Sequence, residues 1–600
     1  MIEYRFGPVR VDGNRRVFRL WAPSADTVDL VLPDNGRGNG PDVAATVAMH
    51  PAGDAPGWYQ SPPTPAPAGT RYGFRIDGDL VVPDPASRMQ AEDVHGFSVV
   101  VDRATPGHPA PPSRPWEDSV IYEAHVGTCA SDGTAPGTFR SLIDRLGYLA
   151  SLGITVLELL PVADFPGRRN WGYDGVLPFA PDRSYGTPDD LRALVDAAHR
   201  RGMAVWMDVV YNHFGPDGNY LHVYAAEFFS DAIATPWGAG IDFSVPEVRR
   251  FFIENALYWV HEFGIDGLRL DAVHAIHDED HPHILTELAD AVRESLPAHR
   301  RVHLVLENDA NQARFLRPPA AYHGQWNDDL HHVLHVLLTG EDHGYYRDFA
   351  RDTDTRLVRA LTEGFVFQGE PSLAHDGSPR GEPSGDLAPT RFVAFLQNHD
   401  QIGNRAFGDR IAGLADPEAL TAATALLLLI PQIPLLFMGQ EWDSTTPFQF
   451  FCDFPGELRT AVRDGRRREF GLDDLPDPGD PETFRRSCLE TPGPVAAVRE
   501  LLRLRHAHLR PLLSAMEPGV GDGGGDEAVS VRYRSRGAWW CIDCNLAPRD
   551  RPAPREPRFD VVAGWTPPPS AKVASVFQTD AGAAGTMPPW SLRVWKERDA

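Results

Sequence analysis

Charged side chains interrupt an apolar run in the segment GLRLDAVH (267–274). In an extended strand, successive side chains point to opposite faces, so Arg269 and Asp271 would lie on one face and Leu268 and Leu270 on the other. A half-exposed surface strand shows the same alternation, and for a single strand this is the commoner explanation. The pattern therefore indicates a functional site only if other strands end in the same way.

Three further apolar runs also end in charged residues. Asp208 follows one run, Glu307 follows LVL, and His399 and Asp400 close RFVAFLQNHD (391–400). Any one of these acids alone is more commonly a solvated or salt-bridged surface residue. In a parallel α/β barrel, however, the carboxyl ends of the strands meet at one mouth, where function gathers. Four strands with the same ending therefore favour a cluster of acids at one site.

Three neighbouring carboxylates could perform acid–base and nucleophilic chemistry on a neutral, hydroxyl-rich substrate, and no phosphate-binding glycine loop accompanies them. Glycoside hydrolysis needs one carboxylate to attack the anomeric carbon and one carboxylic acid to protonate the leaving oxygen. Arg269, on the same face as Asp271, favours the ionised form that a nucleophile requires. Glu307 has no adjacent cation in the sequence, so we expect it to keep its proton more readily.

The elements that must position these residues alternate between strand and helix. Strands are predicted within residues 120–127, 154–161, 203–213, 267–274, 302–308, 321–328, 391–400 and 434–442. Helices are predicted at 138–153, 187–202 and 244–264. The second helix begins with the capping pair Thr187 and Asp190 and ends at Gly202, and the third begins with the pair Ser244 and Glu247.

This alternation predicts an α/β fold with a TIM (β/α)8 barrel, because serial strand–helix units build parallel sheets and eight strands close a barrel. Residues 1–105 contain short alternating runs and predict an N-terminal β-sandwich module, and 106–515 would form the catalytic barrel with insertions. Residues 516–600 predict a C-terminal β-sandwich domain that begins with the glycine-rich turn GDGGGD. The proline-rich stretch 104–115 is interpreted as a connector.

The composition excludes several classes of partner. Lys and Arg number 57 against 83 Asp and Glu, a net charge of −26, so the surface should repel nucleic acid. The most apolar window, 425–439, is broken by two prolines and is too short to span a bilayer, so it predicts a buried helix end followed by a core strand. We therefore expect no membrane partner.

Cysteine usage and the first residues favour a cytoplasmic protein. The five cysteines are few and odd in number, which argues against a disulfide framework. Cys541 and Cys544 form a single CxxC without further ligands at zinc-site spacing, so both are interpreted as strand residues. The first ten residues contain no basic segment followed by an apolar one, so no secretory signal is expected.

Four segments resemble the signature regions of the alpha-amylase family of retaining glycoside hydrolases. In chain order they are DVVYNH (208–213), GLRLDAVH (267–274), LVLEN (304–308) and FLQNHD (395–400). The resemblance implies that Asp271 is the nucleophile, Glu307 the general acid/base and Asp400 the aspartate that stabilises the transition state. It also implies a set of residues around the reacting sugar: Tyr173, His213, Arg269 and His399, with Asp208 as a structural acid.

Two histidines and the question of a metal have alternative interpretations. His213 could instead be a buried, hydrogen-bonded loop histidine. His274 lies three residues past Asp271, where family members often carry a Lys-His pair, but here Val273 precedes it. Asp208 and His213 could suggest metal ligands, yet no dense cluster of oxygen ligands is visible, so we predict no metal and no cofactor.

Motifs elsewhere resemble one branch of that family, which hydrolyses the α-1,4 bond next to a terminal trehalose unit. They are IYEAHVGT (121–128), QWNDDLHHVLH (325–335), FQGEPS (367–372), NHDQIGNRAFGDR (398–410) and LFMGQEWDSTTPFQFFCDF (436–454). The resemblance implies maltooligosyltrehalose and related α-glucans as partners. The sequence predicts no oligomeric state.

The segment DDLHH places acids and imidazoles after the sixth predicted strand, where they could hold the leaving disaccharide. We expect Asp328, Asp329, His331 and Gln401 to contact it; the alternative is a solvated helix start. Two rival functions stay open. One is a glucan branching or debranching enzyme on the same scaffold, and the other is a catalytically silent glucan-binding protein that acts through its N-terminal module.

Overall fold

The eight strands expected after residue 120 form a closed parallel barrel in chain order, which confirms the predicted barrel. In the computed structural model they are Ile121–Ala124, Val156–Leu159, Ala204–Val209, Gly267–Leu270, His303–Leu306, Gly324–Trp326, Phe392–Ala394 and Ile433–Phe437. The first and last strands pair with Ile121 opposite Leu435. Every residue of these strands is buried, because side chains fill the barrel on one face and outer helices cover the other.

The structure describes residues 2–33, 43–53, 55–102, 114–131, 135–235, 238–524, 527–552, 586–587 and 589–598. The predicted connector 104–115 lies almost wholly outside these ranges. Nothing in the structure tests the three predicted domain boundaries, which stay predictions.

Helices follow most barrel strands. The longer ones are Phe139–Leu152, Pro188–His199, Pro246–Glu262, Ile284–Ser295, Asp328–Thr339, Thr353–Glu363, Pro417–Leu429, Gly456–Phe470 and Ala496–Leu504. Short ones are Val126–Cys129, Leu221–Tyr224, His399–Gly403, Pro481–Arg486 and Arg510–Leu513. After the fifth strand, the described chain forms only the 3₁₀ turn Ala313–Leu316 before the sixth strand begins.

One of the two predicted helix starts is confirmed and the other is wrong. Asp190 donates its backbone N–H to the Thr187 hydroxyl at 3.2 Å, and its carboxylate accepts the Thr187 N–H at 2.9 Å. At the third helix, Pro246 occupies the first helical position and Val245 is the N-cap residue. Ser244 therefore lies outside the helix, where its hydroxyl donates to Asp242 at 2.6 Å. A proline at the first helical position sets the boundary more strongly than the capping-box pattern does.

The described part of the N-terminal region (2–33, 43–53 and 55–102) is all-β, as its alternating runs predict. One sheet contains Leu80–Val82, Arg71–Ile76, Val28–Pro33, Val43–Ala48 and Ser98–Val99; a second contains Arg19–Trp21, Trp58–Gln60 and His50–Pro51; a third contains Val9–Asp12, Arg15–Val17 and Thr64–Pro65. The backbone N–H groups of Arg5 and Phe6 donate to Glu254 of the third barrel helix, which joins this region to the barrel.

C-terminal strands form a four-stranded antiparallel sheet. Its strands are Val520–Gly524, Glu527–Ser535, Ala538–Asn545 and Ser591–Arg598, beside the pair Arg551–Pro552 and Thr586–Met587. The CxxC cysteines are buried in the third of these strands, as predicted. Tyr533 donates its hydroxyl to the carbonyl of Leu361 at 2.8 Å, and Trp540 donates to the carbonyl of Leu429 at 3.0 Å. The sheet thus packs on two barrel helices.

Three small hairpins extend loops of the barrel region: Ala163–Asp164 with Leu177–Pro181, Phe229–Thr235 with Gly238–Ile241, and Glu370–Pro371 with Pro379–Arg380. The window 425–439 forms the end of the helix Pro417–Leu429 and the last barrel strand, as predicted. Within the parts of the chain that are described, no helix is both long enough and apolar enough to span a bilayer.

Candidate active site

The buried guanidinium group of Arg269 brings three acids together at the mouth of the barrel. Its Nη1 atom lies 2.6 Å from Oδ2 of Asp208 and 2.7 Å from Oδ1 of Asp271. Its Nη2 atom lies 3.4 Å from Oε2 of Glu307. The ring of Trp326 covers the guanidinium carbon at 4.1 Å. Acids from the third, fourth and fifth strands therefore share one cation, as their positions at strand ends suggested.

Asp208 is the buried acid of this cluster and contacts other side chains of the site. The hydroxyl of Tyr173 donates to its Oδ2 atom at 2.5 Å, and the residue is almost fully buried. Burial raises the pKa of Asp208 to about 6, although the positive charge of Arg269 acts in the opposite direction. With its described contacts directed to Arg269 and Tyr173, Asp208 holds these two side chains in place.

The backbone between the fourth and fifth strands orients the two central carboxyl groups. Ala272, directly after Asp271, has a left-handed conformation with φ 40° and ψ 47°. Its N–H donates to Oε2 of Glu307 at 2.5 Å. Left-handed backbone is unfavourable for a residue with a Cβ by roughly 1 kcal/mol, and such strain is concentrated at functional sites. The turn therefore ties the Glu307 carboxyl group to the residue that follows Asp271.

Glu307 lies in an environment that favours its protonated form. Burial is the largest cause that raises its pKa well above the usual range, and the negative charges of Asp271, Asp400 and Asp328 act in the same direction. Arg269 opposes them. The sequence shows no cation next to Glu307, but the fold brings Arg269 within 3.4 Å, and the combined effect of burial and acids is still larger.

Asp400 and His399 form the opposite wall of the site. They begin the short helix His399–Gly403, whose N-cap residue Asn398 accepts the Asp400 N–H at 2.9 Å. The Asp400 side chain is 40% exposed, so it is open to the mouth, and its Oδ1 atom lies 3.5 Å from Nε2 of His399. The Tyr173 ring stacks on the His399 ring with a centroid distance of 5.0 Å.

Two further histidines of the predicted site, His213 and His274, lie close to the cluster. His213 is buried, with Nε2 3.1 Å from the Tyr173 carbonyl and Nδ1 2.7 Å from Oδ1 of Asn212. Its contacts match the interpretation as a hydrogen-bonded loop histidine, yet Asn212 in turn donates to Asp271 at 3.4 Å. His274 is half-buried, and its Nδ1 atom accepts the N–H of Asp309 at 3.3 Å. Burial lowers the pKa of both histidines.

Asp328 and Gln401 lie together beside Asp400. The side-chain amide of Gln401 donates to Oδ1 of Asp328 at 3.3 Å, and both residues are partly exposed. Burial raises the pKa of Asp328 to about 7, and the charges of Asp309 and Asp400 add to this effect. Both side chains remain available for substrate contact.

Asp329, which the sequence suggests as a sugar contact, lies in the protein interior. Its side chain is fully buried, and Oδ1 lies 2.6 Å from Nη1 of Arg380. Its Oδ2 atom accepts hydrogen bonds from the Asn311 side chain at 3.0 Å and from the backbone N–H groups of Val366 and Phe367 at 2.8 and 3.0 Å. Asp329 therefore anchors surrounding loops to the helix Asp328–Thr339.

His331, the other residue of this helix suggested as a sugar contact beyond Asp328, is also buried. It is 1% exposed, with Nδ1 2.7 Å from the carbonyl oxygen of Leu396 and Nε2 3.3 Å from the hydroxyl of Tyr346. Both ring nitrogens are thus engaged within the protein, and burial lowers the pKa of His331 to about 3. The neutral ring supports the wall of the site from behind.

Two acids of the barrel interior were missed in the sequence. Glu123 in the first strand lies opposite Glu158 in the second, and both are 1% exposed. The signal that could have revealed them is a lone glutamate within each of the apolar runs VIYEAHV and ITVLELL. Such residues are almost never fully buried without a paired group or a functional reason.

This arrangement places one carboxyl group beside an arginine and a second one where burial and neighbouring acids favour the protonated form. Asp271 supplies the first group, Glu307 the second, and Asp400 adds a third carboxyl group on the exposed side. A pair of this kind can attack a sugar carbon while protonating the oxygen that leaves. Throughout the described ranges, no group of three or more His, Cys, Asp or Glu side chains is arranged to hold a metal ion.

Two family models match this chain. Residues 121–232 match the alpha amylase catalytic domain, and residues 5–86 match carbohydrate-binding module 48, the isoamylase N-terminal domain. The first match covers the beginning of the barrel and the second covers most of the N-terminal sheets.

Curated relatives resemble the chain over most of its length. A malto-oligosyltrehalose trehalohydrolase from Saccharolobus solfataricus is 40% identical over 80% of this chain and 82% of its own. Proteins with the same name from Deinococcus radiodurans and Arthrobacter ramosus are 40% and 42% identical, over 81% and 80% of this chain and 80% and 83% of their own.

Solved structures show the same architecture. A crystal structure of a protein described as an alpha amylase from Salmonella typhimurium is 40% identical, covers 100% of both chains and has a TM-score of 0.90. A pullulanase from Paenibacillus barengoltzii is 19% identical with a TM-score of 0.68 and covers 100% of this chain and 96% of its own, which shows likeness of fold.

Proposed function

Because this chain belongs to the malto-oligosyltrehalose trehalohydrolase family, within the alpha-amylase group of glycoside hydrolases, we propose that it releases trehalose from maltooligosyltrehalose. The bond broken is the α-1,4 bond next to the terminal trehalose unit. The observation that carries this substrate assignment is the identity of about 40% with relatives of that name over four-fifths of the chain. The cluster around Arg269 supports the hydrolytic chemistry.

We propose a double displacement in two steps. In the first, the Asp271 carboxylate attacks the anomeric carbon of the glucose that precedes trehalose, while Glu307 donates its proton to the glycosidic oxygen. The bond to that oxygen breaks and trehalose leaves. In the second, Glu307 accepts a proton from a water molecule, whose oxygen attacks the same carbon and displaces Asp271.

The surroundings of the two carboxyl groups support this division of roles. Asp271 lies 2.7 Å from a guanidinium group, and a nearby positive charge favours the ionised form that can attack. Glu307 lies among three acids and keeps its proton, as a general acid must. Asp400, exposed to the mouth, would accept hydrogen bonds from sugar hydroxyls as the ring distorts.

We assign the remaining contacts by position. Tyr173 and His399, whose rings are stacked, would form the wall against which the reacting glucose lies, with His213 beside them. Asp208 and Arg269 would act from behind by holding Tyr173 and Asp271. On the leaving-group side, Asp328, Gln401 and His274 have partly exposed polar atoms and would contact trehalose.

Product analysis tests the proposal. The protein is incubated with maltooligosyltrehalose and, separately, with a maltooligosaccharide of equal length, and the products are separated by chromatography. The proposal expects free trehalose and a maltooligosaccharide from the first substrate and much slower cleavage of the second. New α-1,6 linkages would instead indicate a branching enzyme, and unchanged substrate that stays bound would indicate a glucan-binding protein.

A further inference from the structure

Two buried glutamates lie side by side beneath the active site, and the reaction proposed above uses neither. Glu123 and Glu158 are register partners on the first and second barrel strands, which places their backbones about 4.8 Å apart. Both side chains point into the barrel interior, below the mouth. Oε1 of Glu123 lies 2.5 Å from Nδ1 of His399. Among the residues that the structure describes, neither oxygen of Glu158 has a hydrogen-bond partner.

The His399 ring is held so that its two nitrogens face different environments. Tyr173 stacks on one face with an interplanar angle of 18°, and the edge contacts of Trp171 and Trp326 have centroid distances of 5.7 and 6.1 Å. Nδ1 faces Glu123 in the interior, and Nε2 faces Asp400 at the mouth. Three aromatic side chains therefore pack around the ring and help to fix its orientation.

We propose that Glu123 is a positioning residue of the active site: its carboxyl group, in contact with Nδ1, fixes the His399 ring and keeps it as an imidazolium, while the adjacent Glu158 stays a neutral carboxylic acid. The consequence for catalysis rests on the function proposed above. The two charge states themselves do not, because they follow from the folded protein without substrate.

Proton positions explain why the charge of His399 matters at the mouth. A carboxylate beside Nδ1 holds a proton on that nitrogen, so a neutral His399 would present a bare Nε2 lone pair, which can only accept. The imidazolium instead presents an N–H at Nε2, which can donate to Asp400 or to a sugar hydroxyl. Together with Asp400, Glu123 therefore favours a donor rather than an acceptor at this position of the mouth.

The charged groups around His399 also favour its imidazolium form. The groups that face His399 are the acids Glu123, Glu158 and Asp400 and the bases Arg269 and His125. Burial by itself lowers the pKa of His399, but Asp400 and Glu123 outweigh it and raise the pKa to about 9.

For Glu158, in contrast, the surroundings favour the neutral form. Burial, followed by the charges of Glu123 and Asp208, raises its pKa well above the usual range. Two carboxylates buried on neighbouring strands repel each other, so the one without a cationic partner keeps its proton.

Two matched variants test the proposal, Glu123→Gln and Glu158→Gln. Each replaces one buried carboxyl group by an amide of the same shape, at equivalent positions of neighbouring strands. The titration of His399 is followed by NMR in protein with isotope-labelled histidine, and its signal is assigned by its loss in His399→Asn. In the unmodified protein we expect a midpoint near pH 9, about 2.5 units above an ordinary histidine. Glu123→Gln should lower the midpoint by about 1–3 units, whereas Glu158→Gln should leave it nearly unchanged.

The pH dependence of kcat/KM on maltooligosyltrehalose gives the second measurement. If the midpoint falls to about 6.5 in Glu123→Gln, only about 3% of His399 is charged at pH 8, so kcat/KM should be about 30-fold lower at pH 8 than at pH 5. Glu158→Gln should keep the profile of the unmodified protein. A purely structural role of Glu123 would lower activity equally at all pH values.

Three results would overturn the proposal. An unmodified protein in which His399 titrates near pH 6.5 would do so without any variant, even if Glu123→Gln fails to fold. So would a folded Glu123→Gln protein with an unchanged midpoint, or a Glu158→Gln protein with an equally lowered one. None of these measurements of the midpoint needs substrate, so an error in the proposed function would show separately, as absence of trehalose among the products.

Discussion

Nη1 of Arg269 lies 2.7 Å from Oδ1 of Asp271, and a single leucine separates the two residues at the end of the fourth barrel strand. Strand alternation places both side chains in the barrel mouth, and the leucine between them packs outward. The guanidinium group is always charged, so the Asp271 carboxyl group faces a permanent positive charge. The same group also reaches Asp208 and Glu307, and one cation thereby sets the spacing of three acids.

Removing either central carboxyl group should abolish turnover. We expect Asp271→Ala and Glu307→Gln each to lower kcat on maltooligosyltrehalose by roughly 10³-fold or more, because each removes a group that reacts with the sugar. Thermal unfolding should show folded protein in both cases, since neither side chain belongs to the apolar core. Activity within 10-fold of the unmodified protein, in either variant, would remove that residue from its proposed role.

Hydrolysis should retain the anomeric configuration. A double displacement inverts the anomeric carbon twice, so the maltooligosaccharide product should first appear as the α-anomer. NMR of the reaction within minutes of mixing, before mutarotation, distinguishes the anomers. If the β-anomer forms first, water attacks directly and Asp271 is not the nucleophile.

The barrel was predictable because buried parallel strands are continuous apolar runs, which can be recognised without knowledge of their partners. The cluster was predictable for a related reason: residues at the carboxyl ends of such strands must meet. Thr187 and Asp190 marked a helix start because their hydrogen bonds are local. Ser244 and Glu247 have the same pattern and failed, since Pro246 moved the start of the helix.

Long-range partners could not be read from the sequence. Asp329 and His331 follow a site residue closely, but their buried state depends on Arg380 and Leu396, which lie 51 and 65 residues away in the chain. The role proposed for Glu123 likewise depends on its contact with His399, which lies 276 residues further along the chain. The assignment of exposed and buried faces at a helix start therefore required the folded structure.

Glu158→Gln should stabilise the protein increasingly as the pH rises. The unfolded chain releases this proton near pH 4.3, whereas the folded chain keeps it, so in the unmodified protein each pH unit above about 4.3 costs about 1.4 kcal/mol until the raised pKa is reached. Glutamine does not ionise and avoids this cost. Thermal unfolding at pH 4 and pH 7 should show a difference that grows in favour of the variant. A difference independent of pH would mean that Glu158 is ionised in the folded state.

Asp329→Ala should destabilise the fold without changing substrate preference. The substitution leaves buried Arg380 with Asp309 as its ion-pair partner among the described residues and removes the acceptor of two backbone N–H groups. Loss of one member of a buried ion pair costs about 3–5 kcal/mol. Denaturant unfolding measures the loss, and kcat/KM on both substrates should fall by the same factor. A selective loss on maltooligosyltrehalose would restore Asp329 as a substrate contact.

Replacement of the adjacent Asp328, in contrast, should change substrate preference. Trehalose joins its two glucose units through both anomeric carbons, so its far ring presents hydroxyl groups differently from the far ring of maltose. Asp328 lies at the mouth beside Gln401 and Asp400 with a partly exposed carboxyl group, where it can accept hydrogen bonds from that ring. A site with polar groups matched to one arrangement of hydroxyls rejects another arrangement strongly, because those groups are then left without partners.

Asp328→Ala should therefore reduce kcat/KM on maltooligosyltrehalose by about 10- to 100-fold, the value of one hydrogen bond to a charged group. Cleavage of a maltooligosaccharide of equal length should change by less than about 3-fold, because its leaving group does not use this contact. The measured quantity is the ratio of the two kcat/KM values in Asp328→Ala, with Asp329→Ala as the adjacent control whose ratio should stay constant. Equal losses of kcat/KM on both substrates in Asp328→Ala would show that this residue supports the site and does not recognise the trehalose unit. Recognition of trehalose would then be sought at Gln401 and His274.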